Sequence, residues 1–232
     1  MKGIIFSFLF IALSSCGKDS RTLITQPVLK DTTMKSFLAL GDSYTIGQSV
    51  IESDRFPIQT ARILLTNNIK TSPPQIIAVT GWTTTDLLNA INFNQPSNDF
   101  DIVTLLIGVN NQYQGKSIEI YKSEFSQLLN KAIGYARHLP SHVFVLSIPD
   151  YSVTPFAAGR DTALISREIN EFNEANKMIA FAAGVHYINI TPASKEAKND
   201  PSLIASDGLH PSGKQYSLWS QLLAPEIIQA LK

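Results

Sequence analysis

The sequence predicts an α/β protein, a three-layer α/β/α sandwich around a mainly five-stranded parallel sheet. Three observations predict it. Five short apolar runs, 37–40, 76–79, 102–107, 143–148 and 185–190, have the length and composition of strands. They alternate with longer stretches in which apolar residues recur every three or four positions, the order that gives βαβ units and a parallel sheet covered on both faces. Several runs end in glycine followed by polar residues, as happens where parallel strands open onto a ligand crevice.

Phe37-Leu38-Ala39-Leu40 ends abruptly in Gly41-Asp42-Ser43-Tyr44, which reads as a buried strand delivering Ser43 to solvent. The same residues also suit an ordinary turn in which Ser43 or Asp42 caps the next helix. Pro57 fits the first turn of a helix carrying Ile58, Ala61, Ile63, Leu64 and Leu65. After the second run comes Thr80-Gly81-Trp82, and Thr83 to Thr85 can cap a helix over Leu87 to Ile91. The third run closes in Gly108-Val109-Asn110; Ile120, Phe125, Leu128, Leu129, Ala132 and Ile133 then mark an amphipathic helix that ends before Pro140. Ile165, Ile169, Phe172, Ala175, Ile179 and Ala182 form the next stripe, closed by Gly184, and Leu218 to Leu231 the last. Each stripe reads as core.

Composition narrows the function. There are 19 Lys and Arg against 19 Asp and Glu, and removing residues 1–15 takes away only Lys2, so no basic surplus points to nucleic acid. Residues 35–232 show no repeat or change of composition and read as one domain. The first 15 residues differ: Lys2 precedes an apolar core from Gly3 to Leu13, too short to span a bilayer as a stable helix. Leu13-Ser14-Ser15-Cys16 looks like a bacterial lipoprotein processing site. Lipidation of Cys16, the only cysteine, would anchor the chain to a membrane of the cell envelope, facing the periplasm or the exterior, with a polar tether reaching to residue 34.

The chemistry-bearing residues lie at the two ends of the domain. A serine nucleophile needs a base within hydrogen-bond reach, and the base needs an acceptor on its other nitrogen. Asp207-Gly208-Leu209-His210 supplies both from one turn. Gly81 and Asn110, at their strand ends, can offer donors to an oxyanion, although Gly81 also suits a plain turn and Asn110 a helix cap.

These blocks, in this order, resemble the SGNH hydrolases, also called the GDSL lipase and esterase family. Gly41-Asp42-Ser43-Tyr44 matches the first block, Gly81 the second, Gly108-Val109-Asn110 the third and Asp207-Gly208-Leu209-His210-Pro211 the fifth. The resemblance implies a flavodoxin-like sheet, Ser43 as nucleophile, His210 as base and Asp207 as its orienting acid. It implies an oxyanion hole of Ser43 N–H, Gly81 N–H and the Asn110 amide, with neither cofactor nor metal required. The third block departs from the family, because Asn111 stands where an acid usually follows Asn110.

Tyr44, Trp82, Asn111 and Tyr113 adjoin these blocks and are expected to contact substrate. So are Tyr151 and Phe156, in the turn-rich stretch 149–159 at the end of the fourth run. Asp42 is expected to brace the serine loop. The substrate class is a short acyl ester or acetylated saccharide; the alternatives are lysophospholipids or thioesters, or a non-catalytic relative that binds glycan or lipid.

Other signals carry less. Thr45 replaces the second glycine of a Gly-x-Ser-x-Gly elbow, and no phosphate-cradling glycine motif occurs. His138 and His142 flank Pro140 and read as surface residues rather than a metal pair, and His186 as a satisfied strand residue. Asn189-Ile190-Thr191 matches a glycosylation pattern that a bacterial origin deprives of meaning.

Overall fold

The computed structural model describes residues 34–232. The signal-like segment 1–15, Cys16 and the tether as far as residue 33 lie outside them.

The sheet consists of β1 (Phe37–Gly41), β2 (Gln75–Ala78), β3 (Ile102–Leu106), β4 (Val143–Leu146) and β5 (His186–Ile188). Their order is β2-β1-β3-β4-β5 and every pairing is parallel, as the alternating pattern and the flavodoxin-like expectation require. β1, β3 and β4 are buried at every position, which is why they read as unbroken apolar runs.

Helices α1 (Ser43–Ile46), α2 (Phe56–Thr66), α3 (Thr84–Asn94), α4 (Val109–Tyr113), α5 (Ile118–Tyr135), α6 (Thr162–Ala182), α7 (Thr191–Lys195) and α8 (Gly213–Ala230) complete the fold. The strand order runs one way from β1 to β2 and then reverses towards β3. Right-handed crossovers therefore put α2 on one face and α3, α5 and α6 on the other. Accordingly α2 packs on α8, while α5 packs on both α3 and α6. Tyr216, Trp219, Leu223 and Ile227 form the buried ridge of α8, Leu223 and Ile227 each contributing about 1.5–3 kcal/mol by leaving water. Ser220 Oγ, donating to Phe56 O at 3.1 Å, ties that ridge to α2.

Local chemistry accounts for several boundaries. Thr83 alone caps α3, in a capping box with Asp86, so Thr84 and Thr85 are already helical. The stripe of α5 is carried by Tyr121 rather than Ile120, which is 48% exposed. Strand β2 starts and ends one residue before the expected run and leaves Val79 exposed. β5 keeps only three of the expected six residues, because an edge strand has one neighbour to define its length. Pro225 lies inside α8, where its missing N–H leaves the Gln221 carbonyl without its helical donor, yet the helix continues to Ala230.

His186 stacks on Phe144 with ring centroids 4.8 Å apart and has Nδ1 3.3 Å from Glu226, a satisfied strand residue as expected. His138 lies beyond the end of α5, which breaks the helical spacing to His142.

The register levels three strand ends. Gly41 lies opposite both Ala78 and Leu106, so the segments after β1, β2 and β3 leave the sheet along one edge. That edge, at the reversal beside β1, is where open parallel sheets bind ligands.

Candidate active site

Gly41 ends β1 because nothing larger fits: a Cβ there would lie 2.1 Å from Thr45 Oγ1 and 2.4 Å from the Leu106 carbonyl oxygen. The chain turns at Asp42, which caps α1 by accepting the Tyr44 N–H on Oδ1 at 3.0 Å. Burial pushes the Asp42 carboxyl up to about 7, with the Tyr44 N–H pulling the other way, and Oδ2 is buried without a partner among the described residues. Asp42 thus braces the turn as the cap of α1. Ser43 occupies the first position of α1, so its N–H has no acceptor within the helix.

Ser43 lines a cavity of about 140 Å³ shared with Gly81, Asn110, Leu209 and His210. The structure therefore gathers residues from four strand-end or terminal segments around one small space. The Gly81 N–H has no acceptor among the described residues. Asn110 donates one amide hydrogen to the Trp82 carbonyl at 2.9 Å, which fixes the side chain and leaves its second hydrogen free to donate elsewhere. Gly108, two residues earlier, has φ 135°, and a Cβ would meet Ile148 and Tyr121 at 2.7 Å, so only glycine admits this turn.

The acid and the imidazole are joined directly. His210 Nδ1 lies 2.6 Å from Asp207 Oδ2, and the N–H groups of Leu209 and His210 both donate to Oδ1 at 2.9 Å. Ser49 Oγ donates to Oδ2 at 2.6 Å. Burial pushes the Asp207 carboxyl up, but the bonds from Ser49, Leu209 and His210 outweigh it and hold the group well below the usual carboxylate range. With Nδ1 engaged, Nε2 is the nitrogen that can exchange a proton in the cavity.

Aromatic residues form the remaining wall. Tyr44 lines the cavity and stands edge-on to His210 at 5.6 Å. Tyr113, Tyr151 and Phe156 line it too, with centroids 5.9–6.4 Å apart. Tyr151 is fixed by its hydroxyl, which donates to Gln112 Oε1 at 3.0 Å, and the Arg160 guanidinium lies over the Phe156 ring at 4.6 Å.

Two residues expected to contact substrate have partners within the fold. Asn111 is buried, with Oδ1 accepting the Thr84 N–H at 3.0 Å and Nδ2 donating to Thr84 Oγ1 at 2.6 Å; both ends of its amide are used within the fold. Trp82 is half-buried against the core and does not line the cavity. Sequence reasoning missed Ser49, Thr80 and Gln112. Thr80 lines the cavity and donates to Gln48 Oε1 at 2.7 Å, joining the Gly81 turn to the serine turn. A larger groove of about 1030 Å³ between α5 and α6 contains none of the residues of the serine–histidine cavity, so chemistry rather than volume locates the site.

Residues 39–218 match the GDSL-like Lipase/Acylhydrolase family. The chain belongs to that family. Its fold is that of the lipase/acylhydrolase from Enterococcus faecalis, 21% identical, with a TM-score of 0.63 over 86% of this chain and 98% of that one. A lipase from a goat rumen metagenome is 20% identical, with a TM-score of 0.68 over 83% and 97%. The acetylxylan esterase Axe2 from Geobacillus stearothermophilus is 16% identical, with a TM-score of 0.59 over 86% and 96%. No curated protein matches the chain. Membership in a GDSL-like family makes hydrolysis of esters the coarse activity.

Proposed function

We propose that the protein is a serine-dependent acylhydrolase that cleaves short acyl esters or acetylated saccharides through an acyl-enzyme on Ser43. The observation that carries this reading is the His210–Asp207 pair at 2.6 Å, with the imidazole sharing one small cavity with Ser43. In the first step His210 Nε2 takes the Ser43 proton as Oγ attacks the ester carbonyl, while Asp207 accepts from Nδ1–H and steadies the imidazolium. The N–H groups of Ser43 and Gly81 and the Asn110 amide hold the tetrahedral oxyanion. His210 then protonates the departing alkoxide. In the second step water, deprotonated by His210, attacks the acyl-enzyme, and Ser43 recovers its proton when the acid leaves.

The cavity, about 140 Å³, is below the roughly 300–1,000 Å³ of a site for drug-sized ligands, which supports a short acyl group. The acetylxylan esterase among the structural neighbours is in keeping with an acetylated saccharide as the physiological ester. We also propose, from Leu13-Ser14-Ser15-Cys16, that the mature chain is lipid-anchored in a bacterial envelope.

The test is hydrolysis of a panel of 4-nitrophenyl esters and acetylated saccharides. Ser43→Ala should lower kcat by roughly 10⁴ or more with thermal unfolding near wild type. Near-normal turnover by that variant would end the reading.

A further inference from the structure

The turn after Ser43 carries a side chain that the scheme above does not use. Ser49 has φ 66°, a left-handed conformation that costs a non-glycine residue energy. Serine has no conformational advantage there over glycine, so its hydroxyl is what needs an explanation. That hydroxyl donates to Asp207 Oδ2 at 2.6 Å, the same oxygen that His210 Nδ1 approaches at 2.6 Å. The other donors to Asp207, the N–H groups of Leu209 and His210, come from its own loop. Ser49 reaches it from a different part of the chain. The Ser49 turn is in turn fastened to the nucleophile, because the N–H groups of Gly47 and Gln48 donate to the Ser43 carbonyl at 3.1 and 3.0 Å.

We propose that Ser49 is a positioning residue for the acid–histidine pair, a role that rests on the ester-hydrolase reading of this site. Its hydroxyl pins Asp207 in the rotamer that orients the imidazole and occupies a lone pair of Oδ2, which makes the carboxylate a weaker partner for the imidazolium. Ser49 acts through Asp207 and His210 and has no contact with the reacting atoms in this scheme.

Among the described residues, the Tyr44 and Tyr216 phenols lie against this pair and burial keeps them neutral; Asp42, Tyr151 and Asp150 act on Tyr44, and Asp42 and Arg55 on Tyr216. None of these groups is altered by substitution at 49. Without the Ser49 hydroxyl the carboxylate is a stronger partner for the imidazolium, so the acidic limb of kcat/KM moves upwards.

The experiment compares Ser49→Gly, Ser49→Thr and Ser43→Ala in the full chain, measuring 4-nitrophenyl acetate hydrolysis from about pH 5 to about pH 9 across the imidazole range, together with thermal unfolding. Ser49→Gly relieves the backbone, so it should unfold no earlier than wild type. Its kcat should fall about tenfold and its acidic limb rise by about half a pH unit. Ser49→Thr keeps the hydroxyl in a less favourable backbone, so its rate and pH profile should stay near wild type while its unfolding temperature falls. Activity then follows the hydroxyl and not the stability. Wild-type rate and pH profile in Ser49→Gly, or activity that falls with stability in both variants, would overturn the proposal. If Ser43→Ala retains turnover, the hydrolase reading fails and this role with it; if Ser43→Ala is inactive while Ser49→Gly matches wild type, only the role of Ser49 fails.

Discussion

Asn111 grips Thr84 at both ends of one amide, accepting its N–H at 3.0 Å and donating to its hydroxyl at 2.6 Å. The bond joins the start of α4 to the start of α3 and so fixes the two segments that carry Asn110 and Gly81 relative to each other. Asn110 and Asn111 are neighbours in sequence with different work.

Their substitution should separate those roles. Asn110→Ala removes the donor proposed for the oxyanion and should reduce kcat roughly 10² to 10³ fold with a smaller change in KM. Asn111→Ala leaves the Thr84 N–H buried without its acceptor and should cost about 1–3 kcal/mol of stability, with kcat nearly retained well below the unfolding temperature. Steady-state kinetics and urea denaturation on both variants decide the matter: a large kcat loss in Asn111→Ala at undiminished stability would return it to the site.

The parts legible in the sequence are those whose cause is local. Phe37 to Leu40 declare a buried strand by composition, and Asp207 and His210 meet within a single turn, so their pairing needed no knowledge of the fold. Thr83 and Asp86 likewise write their capping box into four consecutive residues. Ser49 reaches Asp207 across 158 positions and Tyr151 reaches Gln112 across 39, contacts that only the assembled sheet brings about. Trp82 is a related case. Its adjacency to Gly81 suggested a place at the site, whereas the turn sends the ring to the core and offers only the backbone carbonyl to Asn110.

Asp42 makes stability depend on pH in an unusual direction. Burial, opposed by the Tyr44 N–H, raises its carboxyl from 3.8 to about 7 in the folded state. Between those values the folded chain binds a proton that the unfolded chain has released. The contribution of Asp42 is therefore fully present below the unfolded value and is lost as pH rises through about 7. Asp42→Asn cannot ionise and should gain on wild type as pH rises from about 4 to above 7, by about 4 kcal/mol. Urea unfolding of both proteins at several pH values measures the difference. A difference that stays flat with pH would show that Asp42 is ionised throughout.

The aromatic wall sets the last expectation, the length of the acyl chain. Tyr113, Tyr151 and Phe156 line one side of the cavity, Gln112 holds the Tyr151 hydroxyl, and Arg160 lies over the Phe156 ring. A channel open to a long chain would gain about 0.8 kcal/mol for each methylene buried, and kcat/KM would climb steadily with length. A closed wall offers no such gain and sets a steric penalty once the small cavity is filled. Acetyl and butyryl esters should thus give a higher kcat/KM than decanoyl esters, and Phe156→Ala should narrow the gap by opening the wall. Tyr151→Phe should change it less, because it keeps the ring and loses only the bond to Gln112. If the rate instead climbs through long chains, or is greatest on lysophospholipids, the three rings line an acyl channel and the lysophospholipase reading takes the place of the short-chain one.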